Sequence, residues 1–306
     1  MRLLTIGVGL RGAKIVELFY KEGVRVNGVP LFKCFVVLSD DAQLRSIGMK
    51  DNRKFYLHSS KGVGGFINAI TRVYELWEGS LVVTSLEDEF GFQTSLEICE
   101  KIKSFSDDPM MYLTLIPTLG EVDIREIKRK ISQIRKIVDV LILFEGKGDV
   151  DRKILSSLNL LALAGEVDIK KRVAGEVVVD TSDVFNSLKI EGFSVIGFAE
   201  KQIPQINFEL FKKKVELKAI RTRRLLELLD SAMENLSISC NIENAKSALL
   251  LFCGPQEELT MEGIFEAISK LETLNSEIVV RYGDCPLPRK KISLISLFSG
   301  IKSFKF

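Results

Sequence analysis

The feature that most constrains this chain is an alternation in its first half between short aliphatic, β-branched runs and stretches whose apolar residues recur at helical spacing. The runs are Leu3 to Gly7, Cys34 to Leu38, Ser80 to Ser85, Tyr112 to Ile116 and Val140 to Phe144. They are apolar almost without interruption, as strands covered on both faces are, whereas a strand with one wet face alternates. Between two of them, Ile127, Ile131, Ile134 and Val138 form a stripe that can cover a sheet. The expected fold class is therefore α/β, with a doubly wound, mostly parallel sheet.

From Asp151 to about Lys171 the spacing changes, and Ile154, Leu155, Leu158, Leu161 and Leu163 predict a helix buried on several sides. The remainder reads as strand Phe193 to Phe198, a long helix, strand Ser247 to Cys253, helix Met261 to Leu274, and strands Glu277 to Tyr282 and Lys291 to Phe298. The expected organisation is a sheet domain over 1–150, a connecting core helix over 151–172 and a smaller α+β domain over 173–306. In the long helix, Leu225, Leu226, Leu229 and Met233 mark the packed face. Arg221, Arg223, Arg224 and Glu227 read as a solvated one.

Charge and residue usage exclude several functions. The 43 basic and 41 acidic residues nearly cancel, so no nucleic-acid partner is expected. Five scattered cysteines without a Cys-x-x-Cys pair fit reduced thiols in a cytoplasmic protein, and no metal site is expected. His58 is the single histidine, which leaves little for a His-based triad, and its strand-end setting reads as surface polarity. The start at Met1 lacks the zones of a signal peptide, and no apolar run approaches the ~20 residues of a membrane span.

Gly7-Val8-Gly9-Leu10-Arg11-Gly12 follows the first strand and opens a helix, where glycines let backbone approach a phosphate. The same glycines also serve a tight strand-to-helix turn. Asp40-Asp41 after the second strand lies where an NAD-binding fold carries its ribose-binding acid, so an NAD-dependent enzyme is one reading. A second glycine turn is Lys61-Gly62-Val63-Gly64-Gly65.

Taken in order, these and later segments resemble FtsZ, the prokaryotic relative of tubulin. Asp41-Ala42-Gln43 is similar to part of its Asn-Thr-Asp-Ala-Gln segment, and Gly62, Gly64 and Gly65 lie where it carries a phosphate loop. Gly175 to Val184, Glu191 to Gly197 and Asn244 to Pro255 continue the likeness over nearly the whole chain. The resemblance implies a guanine-nucleotide domain, head-to-tail self-assembly into filaments, and a role in division or membrane remodelling. Its cofactor would be GTP or GDP with Mg²⁺. The implied nucleotide contacts are Gly7, Gly9, Gly12, Lys14, Asp41, Gly62, Gly64, Gly65 and Gly91.

One segment departs from that pattern. Where the family has a glycine-rich nest for phosphates, this chain reads Glu87-Asp88-Glu89-Phe90-Gly91. Carboxylates obstruct the approach that glycine permits and repel phosphate, unless magnesium bridges the two. As a purely structural device, the same acids would favour the start of a helix near Gln93. Ala13 and Lys14 stand where the family has asparagines, and the base-reading loop after Phe144 is short. Asn159 is weighed for the lost base contact without being assigned to it.

Asp180 and Asp183 match the two acids with which one FtsZ subunit acts on its neighbour's nucleotide, the asparagine of that motif being Val178 here. They also have the spacing of a capped helix start. The leading expectation is an assembling protein with a degenerate site, no bound cofactor and little GTPase activity. A Mg-assisted GTPase stands second. The expected partners are further copies and another FtsZ-type subunit, with a membrane surface or membrane protein as a further candidate. The closing Ile301 to Phe306 mixes basic and aromatic residues that suit a bilayer surface, but it is too short to anchor a protein and reads first as a strand end.

Overall fold

The computed structural model describes residues 1–71, 77–117, 123–146, 148–164, 166, 175–204 and 214–304. The chain divides into two compact units, Met1–Ala162 and Leu163–Lys305.

The first unit runs β1 (Leu3–Val8), α1 (Gly9–Glu22), β2 (Arg25–Val26), β3 (Val29–Pro30), β4 (Phe32–Leu38), α2 (Asp41–Ser46), β5 (Lys54–Tyr56) and α3 (Val63–Thr71). It continues with β6 (Gly79–Ser85), α4 (Glu89–Lys103), β7 (Met110–Ile116), α5 (Ile124–Arg135), β8 (Val140–Glu145) and α6 (Val150–Ala162). Six strands pair in the order β8-β7-β6-β1-β4-β5, every pair parallel. Each residue of β1, β4, β6 and β7 is buried, which is why these runs are mostly aliphatic, their polar side chains being chiefly small hydroxyls such as Thr5, Thr84 and Thr114. The fully buried Tyr112 keeps a polar partner in the core: its hydroxyl meets Ser95 Oγ at 2.6 Å, and burial pushes its pKa up.

The second unit contains α7 (Thr181–Leu188), β9 (Phe193–Gln202), α8 (Lys214–Glu234), β10 (Ser247–Gly254), α9 (Met261–Leu274), β11 (Val279–Pro286) and β12 (Lys291–Ile301). Its sheet order is β11-β10-β12-β9, with β10 and β11 parallel and the other two pairings antiparallel. The α+β reading of this half is therefore present.

Several local expectations are corrected. The helix expected near Gln93 begins at Glu89, because Asp88 caps it there. Val138 lies beyond the end of α5, while Ile127, Ile131 and Ile134 are buried on it. The strand expected from Glu277 starts at Val279. The charged run on α8 is not simply solvated: Arg224 Nη1 donates to both oxygens of the buried Glu258 carboxylate at 3.0 and 2.8 Å, and Arg221 Nε lies 3.3 Å from it. Arg223 and Glu227 are exposed as expected.

α6 ends at Ala162, and of the longer core helix that the sequence suggests, 165 and 167–172 lie outside the described residues. At the other end of the chain, Phe304 stacks on Phe193 with centroids 5.0 Å apart, so its ring packs on the second unit; 305 and 306 lie outside the described residues. Among the described residues, no helix is long and apolar enough to cross a membrane.

Candidate functional site

In the first unit, β1 has β4 on one side and β6 on the other, so the connections leave β1 in opposite senses. A doubly wound sheet binds its ligands at such a switch point, beyond the carboxyl ends of the strands. A cleft of about 440 Å³ opens there, lined among others by Gly9 after β1, Leu38 at the end of β4 with Ser39 and Asp40 beyond it, and Asp88 and Phe90 after β6.

The glycines of the first turn are packing devices as much as ligand devices. A methyl carbon on Gly12 would stand 2.2 Å from the carbonyl oxygen of Val83, and one on Gly7 2.5 Å from that of Gly12, so α1 lies tight on β1 and β6. Gly9 has φ +74°, a conformation that side chains disfavour, and it starts α1 without any side-chain cap on the helix. The Thr84 hydroxyl donates to the Val8 carbonyl at 3.0 Å and ties this turn to β6.

Asp88 closes the opposite wall. Its Oδ1 accepts the Gly91 amide at 2.8 Å as the N-cap of α4, and its Oδ2 faces Gly9, where an added methyl carbon would come within 1.9 Å. Among the described lining residues, only Asp40 and Asp88 are charged, and both are acids.

The other two carboxylates of the acidic segment go elsewhere. Glu87 and Glu89 line a separate cleft of about 340 Å³ together with Asp123, Glu126 and Lys130. Lys130, buried on α5, donates to the Leu86 carbonyl at 2.8 Å and to Glu89 Oε2 at 2.9 Å, and its ammonium lies 5.0 Å from the Phe92 ring centre. A hydrogen bond from Gln93 and then one from Lys130 hold the Glu89 carboxyl below its ordinary range.

The remaining expected contacts are dispersed. Asp41 begins α2 and pairs with Arg45, while its neighbour Asp40 lines the cleft and caps α2 by accepting the Gln43 amide at 2.8 Å. Lys14 is exposed on α1. Gly62 ends a short 3-10 turn, and Gly64 and Gly65 are exposed in the first turn of α3 with open space around them. Gly91 lies in the first turn of α4, where a methyl carbon would meet Thr84 Oγ1 at 2.7 Å. The Asn159 amide is engaged with backbone: its oxygen accepts from Val24 N at 2.8 Å and its nitrogen donates to the Glu22 carbonyl at 3.4 Å. His58 is exposed, as its strand-end setting suggests. Lys147 of the short loop lies outside the described residues.

In the second unit, Asp180 and Asp183 form a capping box at the start of α7. Asp180 Oδ1 accepts the Asp183 amide at 2.8 Å, and Asp183 Oδ2 accepts the Asp180 amide at 3.2 Å. Their approach segment is fixed from β11: the buried Asp284 carboxylate accepts the Glu176 and Val177 amides at 3.1 and 2.7 Å, and the Asp284 amide donates to the Val177 carbonyl at 3.0 Å. Val178 is left exposed.

A family model for the C-terminal domain of tubulin-like CetZ proteins matches residues 143–305, more than half of the chain. The chain belongs to the tubulin-like CetZ family. Tubulin-like protein CetZ1 of Haloferax volcanii is 26% identical over 98% of the chain and 88% of the relative, and CetZ3 of the same organism has the same identity and coverage. Among solved structures, the GDP-bound monomer of Haloferax volcanii CetZ1 has a TM-score of 0.81 at 22% identity, covering 99% of this chain and 96% of the other. The GTPγS-bound protofilament of CetZ2 gives 0.79 at 18% identity with 100% and 95% covered. An empty FtsZ dimer from M. jannaschii gives 0.68 at 14% identity, covering 100% and 93%. These structural likenesses establish the tubulin/FtsZ fold.

In this CetZ-family chain, reasoning from sequence missed Lys130 and Asp284. Lys130 had a readable signal, since it interrupts the apolar stripe of Ile127, Ile131 and Ile134 on its buried side. Asp284 had none, because its partners lie 108 and 107 residues earlier.

Proposed function

We propose that this protein is a CetZ-type protomer that assembles head to tail while binding guanine nucleotide weakly or not at all. The carrying observation is the Asp88 carboxylate, held at the start of α4 and turned against Gly9 in the switch-point cleft. A helix N-terminus beside a glycine turn ordinarily accepts a phosphate. Here a built-in anion already occupies that position. A nucleotide phosphate does not fit these residues, since each close pairing with Asp88 or Asp40 at ~4 Å costs about 4 kcal/mol at an effective dielectric near 20.

Assembly is supported by kinship with CetZ2, whose solved structure is a protofilament. In the proposed filament the glycine-turn face of one copy meets the Asp180/Asp183 face of the next, a heterologous contact that propagates. The free carboxylate oxygens of that capping box would then face a neighbour, either another copy or an FtsZ-type subunit with an intact pocket.

Equilibrium titration with labelled GTP and Mg²⁺, combined with sedimentation of assembled protein, tests the reading. Assembly independent of GTP is the expected result, without saturable binding at micromolar concentrations. A second reading, magnesium bridging Asp40 and Asp88 to a nucleotide, is favoured by the guanine nucleotides bound in the CetZ1 and CetZ2 structures. Micromolar binding that disappears on removing Mg²⁺ would establish it in place of the first.

A further inference from the structure

Two thiols of the second unit face each other. Cys253 on β10 and Cys285 on β11 are direct register partners in a parallel pairing, so their side chains leave the same face of the sheet. Cys253 is buried and Cys285 is half-exposed. A hydrogen bond to Cys285 and then burial push the Cys253 thiol up. Adjacent strands lie about 4.8 Å apart, inside the ~4.4–6.8 Å range of Cα separations that a disulfide spans. Disulfides prefer Cβ atoms about 3.8 Å apart, closer than the strand spacing, so closing the bond draws β11 toward β10 and leaves a strained, readily reduced link. The residue before Cys285 is Asp284, whose carboxylate and amide hold Glu176 and Val177 on the approach to Asp180.

We propose that Cys253 and Cys285 form a reversible dithiol and disulfide site, and that closing it shifts Asp284 and loosens the segment leading to Asp180. The oxidant is a hydroperoxide. Cys285, the accessible thiol, attacks the peroxide oxygen as a thiolate, giving a sulfenic acid and releasing an alcohol, or water from hydrogen peroxide. The Cys253 thiol then displaces that hydroxyl, forming the S–S bond and one water. Two thiols are oxidised by two electrons, and one peroxide is reduced. A low-molecular-weight thiol reverses the bond by exchange. The site does not depend on the nucleotide reading of the first unit, and its test does not involve GTP.

The experiment treats the folded, full-length protein with hydrogen peroxide, alkylates the remaining thiols and maps the tryptic peptides by mass spectrometry. Peptides 247–270 and 282–289 are expected joined and two hydrogens lighter than their sum, returning to free thiols with dithiothreitol. In the same oxidised sample, amide exchange at 176 and 177 is expected about fivefold faster, a change of about 1 kcal/mol. Cys285→Ser should abolish both effects while leaving the reduced protein's exchange unchanged. A sulfinic acid at Cys285 with Cys253 still free would overturn the proposal, and so would a joined pair with unaltered exchange at 176 and 177.

Discussion

Two helix starts in this protein use the same device, a capping aspartate, with opposite consequences. At α4, Asp88 caps through Oδ1 and turns Oδ2 into a glycine-lined cleft. At α7, Asp180 and Asp183 cap each other on an exposed surface, with their approach segment fixed to β11 by Asp284. An aspartate N-cap, worth about 1 kcal/mol, starts both helices, and at α7 Asp183 adds the reciprocal bond of a capping box. What decides the outcome is the surface opposite: a bare glycine turn that an anion closes in one unit, and open solvent that leaves carboxylate oxygens free in the other. An acid at a helix start therefore carries no function until its second oxygen is located.

The comparison breaks most visibly at Asp284. It is 6% exposed and its carboxylate satisfies two backbone amides, so Asp284→Ala orphans both and removes a charge-assisted contact. Urea unfolding should show a loss of about 3 kcal/mol. A loss below about 1 kcal/mol would mean that the Asp180 segment is held by something else, and the contrast with α4 would lose its basis.

Next in size is Asp88→Gly. Removing one carboxylate from the cleft should raise affinity for GTP on the order of a hundredfold, a fraction of the ~4 kcal/mol of one unscreened pair, while lowering stability by only about 0.3 kcal/mol, since glycine is itself a tolerated N-cap. Fluorescence titration reads the first effect and thermal unfolding the second. Stability loss without any gain in affinity would show that Asp88 is only a cap, equivalent to Asp180.

These two residues also mark the limit of what was legible in the chain. The parallel strands were readable because burial on both faces forces mostly apolar runs without alternation, as in β1 and β7. The acidic segment was readable as a departure from a glycine nest. That it splits, with Asp88 in one cleft and Glu87 and Glu89 in another, depends on a helix starting at Glu89 and on Lys130 from a separate element. Arg221 and Arg224 misled for the same reason: their partner Glu258 lies on a different element, 34 residues beyond Arg224, and local spacing says nothing about it. Pairings between elements, unlike periodicity, are set by tertiary packing.

Asp180→Ala should be smaller still, costing about 1 kcal/mol through the lost cap, with Asp183 keeping its place in α7. If the α7 start is an assembly face, sedimentation should also fall at unchanged far-UV circular dichroism. Normal assembly in that variant would confine the residue to capping and make the two helix starts alike.

The smallest effect concerns pH and separates Glu89 from Asp88. Gln93 first and Lys130 second depress the Glu89 carboxyl in the folded state. A depressed folded value means that the unfolded chain takes up the proton first as acid is added. Its contribution to stability is therefore complete above the ordinary glutamate value of about 4.3 and fades as pH falls through the lower folded value. Glu89 is largely exposed, so the slope should be shallow and weaken in salt. Glu89→Gln should flatten stability against pH between about 5 and 3, read by urea midpoints, and leave GTP affinity unchanged, since Glu89 does not line the cleft at Gly9. A gain in affinity from Glu89→Gln matching that of Asp88→Gly would mean that the whole acidic segment acts on the cleft as one field, and that the division drawn by Lys130 has no electrostatic consequence.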